Sequence, residues 1–402
     1  MALVVTIVVL LILAGVSIRL VLDNNGIISR AGDAKDKHEQ GRVNDQTDLN
    51  SAVDYINQMT GENGGGSGGG SLPTGTGTTP YYPSSNFIQV SGTNLDNGLV
   101  IEDGNENQYV WIEVPKTAEV YGADNLNITN FTEEELNTIK TKLITHATDY
   151  RKSGYSDTWY DGCGVSQENY EIMYNKMLKS VYQHGGFWIG RYEIGIDENT
   201  VRSYGSDTFT LLHPTTGQTP VVKANKVPYN WIRCSQAEEL AETFAPSGYT
   251  SSLMFGLQWD LVLKYLETKG STQEELKGTT TGSTNWGNYP DASFTVTNTN
   301  AQYSEDNGAS WNPITAAGYT TDSNLLTTGA NATRNSKMNI CDLAGNVWEW
   351  TLEQDTSDSS YPWTIRGGGY HGYGSHNPAS YRGSIGYTTY SDENLGARVS
   401  LY

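Results

Sequence analysis

The longest apolar run of the chain lies at its beginning. From Ala2 to Ile18 the sequence ALVVTIVVLLILAGVSI carries no charge, and Arg19 is followed by a further apolar triplet. At about 1.5 Å of rise per helical residue, such a run nearly spans the roughly 30 Å hydrocarbon core of a bilayer. It has neither a positively charged start nor a small-residue cleavage site. The pattern therefore predicts a retained hydrophobic helix rather than a removed signal peptide.

After this run the pattern becomes amphipathic and then loses its apolar positions. Scattered apolar residues from Ile27 to Met59 predict a loosely packed helical stem. From Gly64 the chain reads GGGSGGGS and then LPTGTGTTPYYPSS, which has too little apolar surface to fold. An inserted tether would look similar, but the bias of TGTGTTP favours a natural linker. We expect a hydrophobic helix and stem over 1–60 and a flexible linker over 61–86.

From Phe87 onward, short strand-like runs such as QYVWIEVP and GGFWIGRYEIG alternate with Gly- and Asn-rich connections. Two stretches have helical periodicity instead. FTEEELNTIKTKLITHATDY has Thr132 followed by Glu135, the pattern of a capping box. In CSQAEELAETFA, Ser235 is the expected N-cap, and the Glu238 side chain is expected to accept from the Ser235 backbone N–H, as in a capping box. These patterns predict a mixed α+β domain over 87–402 with much irregular structure.

The charge and cysteine content narrow the possible classes of function. The chain has 45 acidic and 25 basic residues and a formal net charge of -20. This charge repels nucleic-acid phosphates, so no nucleic-acid partner is expected. Cys163, Cys234 and Cys341 are too few for a disulfide scaffold and lack zinc-site spacing. We expect one disulfide at most.

The apolar run, the DNNGII break and the AKDK-type stem together resemble type IV pilin-like proteins of Gram-positive bacteria, which carry a class III signal. In that family the helix waits in the membrane and then packs into a filament core. The resemblance implies an extracellular filament subunit whose partners are other copies of itself. The hydrophobic run lacks the acidic residue that many pilins use for pairing. A membrane-anchored surface receptor that forms no filament is therefore the alternative.

Six motifs in order resemble the formylglycine-generating, or sulfatase-modifying-factor, family, a variant of the C-type lectin fold. They are QYVWIEVP, GGFWIGRYEIG, GLQWDLVLKYL, CDLAGNVWEWT, RGGGY and LGARVS. The resemblance implies a C-type-lectin-like domain. In an extended AGNVWEW segment, Trp348 and Trp350 point to one face and are expected to anchor a core. Family members bind calcium near this segment, and Asn346 and Glu349 supply oxygen ligands of the kind calcium prefers. They are the candidate metal site.

The enzymes of this family oxidise through a pair of copper-binding cysteines shortly before the last conserved arginine. Here the stretch from Gly367 to Arg398 contains no cysteine, so the thiolate is missing. Cys341 is expected to be a core thiol or a partner of Cys234. No HExxH or P-loop motif occurs, and the scattered His184, His213, His371 and His376 do not indicate a catalytic base. We therefore expect no catalytic residue and a protein that is not an enzyme, with a formylglycine-generating-type oxidase as the weaker alternative.

The C-terminal segment between Gly369 and Asn394 is instead dense in Tyr, Ser, Gly, His and Asn. Tyrosine gives a large, rigid contact area at low entropic cost, and the small polar residues give adaptable hydrogen bonds, as in antibody paratopes. The other interpretation is an exposed loop region without a special role. The candidate ligand-binding residues are Tyr370, His371, Tyr373, Ser375, His376, Asn377, Tyr381, Tyr387 and Tyr390.

The same segment is similar to the variable region of diversity-generating-retroelement target proteins, in which Asn codons change to Tyr, Ser, His, Gly or Asp codons. Those residue types are interspersed here between framework residues such as Arg366 and Arg382. The sequence thus predicts a cell-surface adhesin, in a filament or anchored in a membrane. We expect its lectin-like domain to bind an unknown protein or glycan without catalysis.

Overall fold

The computed structural model describes residues 80–122, 128–205 and 217–402. The predicted hydrophobic helix and stem over 1–60, and the linker up to residue 79, lie outside the described residues. Within the described residues, no helix is both long enough and apolar enough to span a bilayer.

The described part is a mixed α+β structure with short strands and long connections, as the sequence predicts. Its helices are α1 Ala118–Tyr121, α2 Glu133–His146, α3 Gln167–His184, α4 Cys234–Glu242, α5 Gly256–Thr268 and α6 Gln273–Lys277. Its first strands are β1 Ile88–Gln89, β2 Val100–Glu102, β3 Gln108–Glu113, β4 Tyr155–Ser156, β5 Gly186–Gly190, β6 Gly195–Ile196, β7 Pro220–Val221, β8 Val227–Pro228 and β9 Ser251–Leu253. The later ones are β10 Thr295–Val296, β11 Gln302–Ser304, β12 Asn312–Pro313, β13 Tyr319–Thr320, β14 Leu325–Leu326, β15 Ser336–Lys337, β16 Ile340–Cys341, β17 Trp348–Asp355, β18 Trp363–Arg366, β19 Arg382–Ile385, β20 Leu395–Ala397 and β21 Val399–Leu401.

The larger sheet has six antiparallel strands in the order β1-β2-β3-β5-β21-β9. Its centre is formed by the two strands predicted from QYVWIEVP and GGFWIGRYEIG. Trp111 of β3 pairs with Trp188 of β5, and their rings lie 5.0 Å apart. Both strands are buried on both faces. This explains why they read as continuous apolar runs rather than alternating ones.

The second sheet carries the C-terminal motifs. Its order is β19-β18-β17-β20, and β4 pairs with the end of β17. The eight-residue strand β17 comes from the VWEWT motif and is antiparallel to β18 but parallel to β20. The Tyr-rich segment therefore leaves this sheet after β18, returns as β19, and leaves again before β20.

The two helices predicted from periodicity are present, but only one begins as expected. At α2, Thr132 Oγ1 accepts from the Glu135 backbone N–H at 3.3 Å and Glu135 Oε2 accepts from the Thr132 N–H at 2.8 Å, which confirms the capping box. The cap predicted at Ser235 with Glu238 is wrong, because α4 begins at Cys234. Glu238 lies on the buried face and accepts from the Leu253 N–H of β9 at 2.7 Å.

The sequence analysis missed helix α3, which packs against α2 and β5. Ser166 caps it and accepts from the Asn169 N–H, and Gly185, with a φ of 72°, ends it in the left-handed conformation. Its buried residues follow helical spacing, but they are mostly Tyr and Met rather than Leu or Ile: Tyr170, Met173, Tyr174, Met177, Leu178 and Val181. Counting tyrosine as apolar would have revealed this stripe.

Candidate binding face

Two loops of the Tyr-rich segment flank β19 and display most of the predicted ligand-binding residues. The first loop runs over 367–381 and the second over 386–394. Tyr373 is 53% exposed and Tyr387 68% exposed, with Tyr381 and Tyr390 less exposed. His371 and His376 are also exposed, while Ser375 and Asn377 are half-buried. We call these eight residues the tyrosine face.

Tyr370 is placed differently from the expectation. It is only 1% exposed and packs in a small cluster with Leu325 and Val347. Its hydroxyl donates to Asn307 Oδ1 at 3.2 Å. Tyr370 therefore anchors the first loop to the domain and is not part of the exposed face.

The first loop is held by the segment 283–291 of the same domain. The hydroxyl of Tyr289 lies 2.9 Å from the carbonyl oxygens of both Gly367 and Asn377. Asp291 accepts from the Gly374 N–H at 2.9 Å, and the Ser283 N–H donates to the Gly374 carbonyl at 3.0 Å. These bonds fix both ends and the tip of the loop, so Tyr373 is presented on an ordered support.

The start of this loop requires glycine. Gly367 and Gly368 have φ values of 87° and 82°, which lie in the left-handed region that favours glycine. A Cβ atom at Gly368 would lie 2.5 Å from the Asn377 carbonyl oxygen. The RGGGY motif is thus needed for the backbone path that brings the Tyr-rich segment back across the sheet.

A buried ionic cluster lies beneath this sheet and holds β18 to β19. Arg366 donates to Glu353 Oε2 at 2.9 Å and to Asp260 Oδ1 at 2.8 Å. Arg382 donates to the same two carboxylates at 2.6–3.0 Å. Burial raises the pKa of Glu353, but Arg382, Arg366 and Arg151 outweigh it and keep that pKa below its usual range. The cluster fixes the strand from which both loops extend.

The two candidate calcium ligands belong to a second buried cluster and bind protein groups. Asn346 Oδ1 accepts from Asn288 Nδ2 and the Leu326 N–H, both at 3.1 Å, and Asn346 Nδ2 donates to Glu193 Oε2 at 2.8 Å. Glu349 accepts from the guanidinium of Arg398, with a shortest distance of 2.6 Å. Their oxygens already have donors, so the pair does not fit a calcium ion in this arrangement.

No group of three or more His, Cys, Asp or Glu side chains in the described ranges is arranged to hold a metal ion. Burial, Asp342 and Glu349 raise the pKa of Glu193 well above its usual range, which favours its neutral form. The cluster around Arg398 is therefore a buried junction between the two sheets, and calcium binding stays a prediction.

The two tryptophans of the VWEWT motif have different environments. Trp350 is buried, and its Nε1 donates to the Ile232 carbonyl at 2.9 Å. Trp348 is half-buried, and its ring lies 5.5 Å from that of Tyr381. The expectation of two buried indoles is correct for Trp350 only, and Trp348 supports the tyrosine face from below.

All three cysteines lie in the described part, and all are free and buried. Cys341 is therefore a core thiol rather than a partner of Cys234. Burial raises the pKa of Cys341 to about 12, and it also raises the pKa of Cys163 and of Cys234. Since the thiolate is the reactive form, none of the three has the environment of a catalytic cysteine.

Three of the four histidines considered as bases, His184, His371 and His376, lie in the described residues, and they do not form a common site. The His184 ring lies 4.4 Å from the Tyr81 ring and is tilted by 45° to it, and burial lowers the pKa of His184 to about 4. His371 and His376 lie on the first loop, and burial lowers the pKa of His371 although Asp392 opposes this. His213 lies outside the described residues. No described histidine contacts a nucleophile that it would activate.

Two aromatic residues that are distant in the sequence, Trp231 and Tyr204, lie beside the second loop. The sequence analysis did not select them. The backbone N–H of Trp231 donates to the backbone carbonyl of Asp392 at 3.0 Å. The ring of Tyr204 lies 5.9 Å from that of Trp231 and meets it edge-on, and Tyr204 is 88% exposed. Both residues lie in irregular segments, so no periodicity marks them.

Much of the described domain matches the model of a known protein family. A model of the sulfatase-modifying factor enzyme 1-like domain matches residues 165–400. The chain belongs to this family. The matched segment includes the Trp motif and both loops of the tyrosine face, while β3, although paired with β5 of the family domain, precedes it.

Other comparisons add little. A solved structure, Treponema denticola variable protein 1, is similar at 15% sequence identity and a TM-score of 0.30, over 54% of this chain and 84% of that one. No curated protein matches the chain.

Proposed function

We propose that the family domain of this chain is a non-catalytic ligand-binding domain, displayed outside the cell, and that the tyrosine face binds a protein or glycan ligand. The observation that carries this proposal is the exposure of Tyr373, Tyr381, Tyr387 and Tyr390 on loops whose bases are fixed by buried ion pairs. Exposed tyrosines on a rigid support are frequent binding hot spots, because little entropy is lost on contact.

The chemistry of the cysteines supports a role without catalysis. A family oxidase needs a thiolate in the segment before Arg398, and that segment has no cysteine. The three thiols present are buried, and burial opposes their ionisation. An oxidase stays the weaker alternative because it would have to work without the family's nucleophile.

Array binding tests the tyrosine face. Glycan and surface-protein arrays are probed with the full chain in detergent micelles and with its Tyr373→Ser/Tyr387→Ser variant. We expect the variant to lose at least about tenfold in affinity for the ligands that the wild type selects, because it lacks two exposed aromatic contacts. The free energy of unfolding should change by less than about 0.5 kcal/mol, since both side chains are exposed.

A matched control removes two exposed apolar side chains elsewhere, Ile88→Ser and Ile172→Ser, from β1 and α3. This control should bind like the wild type. Full affinity in the tyrosine variant, or an equal loss in the control, would place the ligand outside the tyrosine face.

Display on a filament rests on the apolar run and stem over 1–60. We propose that the run packs into a filament core, after a stage in the membrane, so that many copies raise avidity beyond the affinity of one site. Electron microscopy of filaments sheared from native cells, with mass spectrometry of their subunits and N-termini, should find this chain as the repeating subunit. Recovery from membrane fractions alone would leave an anchored receptor.

Diversification of the tyrosine face is part of the same proposal. The residue types that adenine-directed mutation of Asn codons produces lie on the exposed loops, while Arg366 and Arg382 lie in the buried cluster below. Substitutions on such loops would alter ligand choice without removing a core contact. A near-copy of the coding sequence for this segment in the neighbouring DNA is expected, and its absence would refute the hypothesis.

A further inference from the structure

Beside the second loop lies a surface that combines aromatic rings with a pair of acidic residues. We define the acidic aromatic patch as Tyr204, Trp231, Tyr390, Asp392 and Glu393. The backbone N–H of Trp231 donates to the backbone carbonyl of Asp392. The hydroxyl of Tyr390 donates to the side chain of the same residue, at Asp392 Oδ2, over 3.1 Å. The edge-on contact with Trp231 leaves most of the Tyr204 ring in solvent. The two aromatic segments are thus joined to the acidic turn.

The backbone beneath the patch is held by buried polar groups. Asn230 donates through Nδ2 to the Glu393 carbonyl at 2.8 Å. Arg202 is buried and donates to the carbonyls of Asn230 and Trp231 at 2.6 and 2.8 Å. These bonds order the turn that presents Trp231. The patch is therefore preformed, which lowers the entropic cost of binding a partner.

The two carboxyl groups lack a counterion from the described part of the chain. No lysine or arginine in the described ranges forms a salt bridge with Asp392 or Glu393, and the two acidic side chains repel each other. Burial and a hydrogen bond with Asp392 raise the pKa of Glu393. A cation placed between the two groups would relieve this repulsion.

We propose that the acidic aromatic patch binds a guanidinium or ammonium side chain of a protein partner. The proposal rests on the proposed function and names the partner chemistry at one edge of the tyrosine face. An arginine or lysine side chain over the Trp231 and Tyr204 rings gains cation–π attraction, and the paired carboxylates add charge-assisted hydrogen bonds. The net charge of -20 would also speed the approach of a basic surface.

A blocked tri-arginine peptide tests the patch, and a tri-citrulline peptide of nearly the same shape but no charge is the comparison. The full chain is labelled with 5-fluorotryptophan, and the fluorine signal of Trp231 is assigned with a Trp231→Phe variant. We expect the tri-arginine peptide to shift the Trp231 signal in a saturable way and the tri-citrulline peptide to leave it nearly unchanged. Asp392→Asn/Glu393→Gln should weaken tri-arginine binding by about five- to tenfold.

The matched control is Glu133→Gln/Glu134→Gln on α2, which changes the net charge equally but lies on a helix that packs against α1, α3 and α5. This control should lose less than twofold in affinity, roughly what weak long-range screening allows. Equal weakening in both double variants would show that tri-arginine senses only the net charge. Equal shifts with both peptides, or no shift of the Trp231 signal, would also overturn the assignment.

A failure of the patch to bind a cationic side chain can be distinguished from a failure of the proposed function. The array experiment changes Tyr373 and Tyr387, which are not part of the patch. Array ligands that depend on those tyrosines, together with no response to tri-arginine, would leave the tyrosine face as a binding site. In that case only the cationic partner of the patch would be wrong.

Discussion

Replacing Glu353 with alanine is expected to lower the free energy of unfolding by about 3–5 kcal/mol, the typical cost of removing one partner from a buried ion pair. Glu353 is fully buried and accepts from both Arg366 and Arg382. Without it, Asp260 is the principal remaining carboxylate for two buried guanidinium groups. Urea unfolding followed by circular dichroism measures the change.

Two further variants make this prediction decisive. Glu353→Gln keeps the size and one acceptor oxygen, so it should lose less stability than the alanine variant and should fold even if that variant does not. Glu171→Ala removes an exposed carboxylate from α3 and should stay within about 0.5 kcal/mol of the wild type. A loss below about 1 kcal/mol in Glu353→Ala would mean that the cluster contributes little to holding the second sheet.

Replacing Trp350 with alanine is expected to cost about 3–5 kcal/mol of stability, as for other fully buried aromatic side chains. The change leaves a cavity beside β17 and removes the donor to the Ile232 carbonyl. Trp348→Ala should cost clearly less, because Trp348 is half-buried. The same urea unfolding experiment compares the two variants.

The paired comparison separates core packing from support of the tyrosine face. Trp348→Ala should weaken binding in the array experiment, since the ring of Trp348 lies 5.5 Å from that of Tyr381. Trp350→Phe should retain much of the packing and lose mainly the hydrogen bond. Equal destabilisation by Trp348→Ala and Trp350→Ala would contradict the difference in burial on which both expectations rest.

Several features that depend on neighbouring residues were predictable from the sequence, although helix α3 and the start of α4 were not. The Thr132 capping box was correct because both of its hydrogen bonds join residues only three positions apart. Strands β3 and β5 were recognisable because long apolar runs indicate strands covered on both faces. The order of the motifs identified the family, and the density of tyrosine marked the C-terminal segment.

Tertiary structure decided which of these residues share a site. Tyr370 and Tyr373 look equivalent in the sequence, yet Tyr370 is buried against Leu325 and Val347. Its hydroxyl donates to Asn307, 63 positions away. Likewise, Asn346 and Glu349 resemble calcium ligands until the folded chain brings Glu193 and Arg398 to them. Trp231 joins Asp392 only through the fold.

By itself, then, the sequence determined some of the local elements, the family and the segment in which the exposed tyrosines lie. The tertiary structure alone determined burial, the partners of the buried charges and the membership of the acidic aromatic patch. The physical reason is the range of the interactions. Caps and strand patterns depend on a few adjacent residues, whereas desolvation and ion pairing depend on groups that only the folded chain brings together.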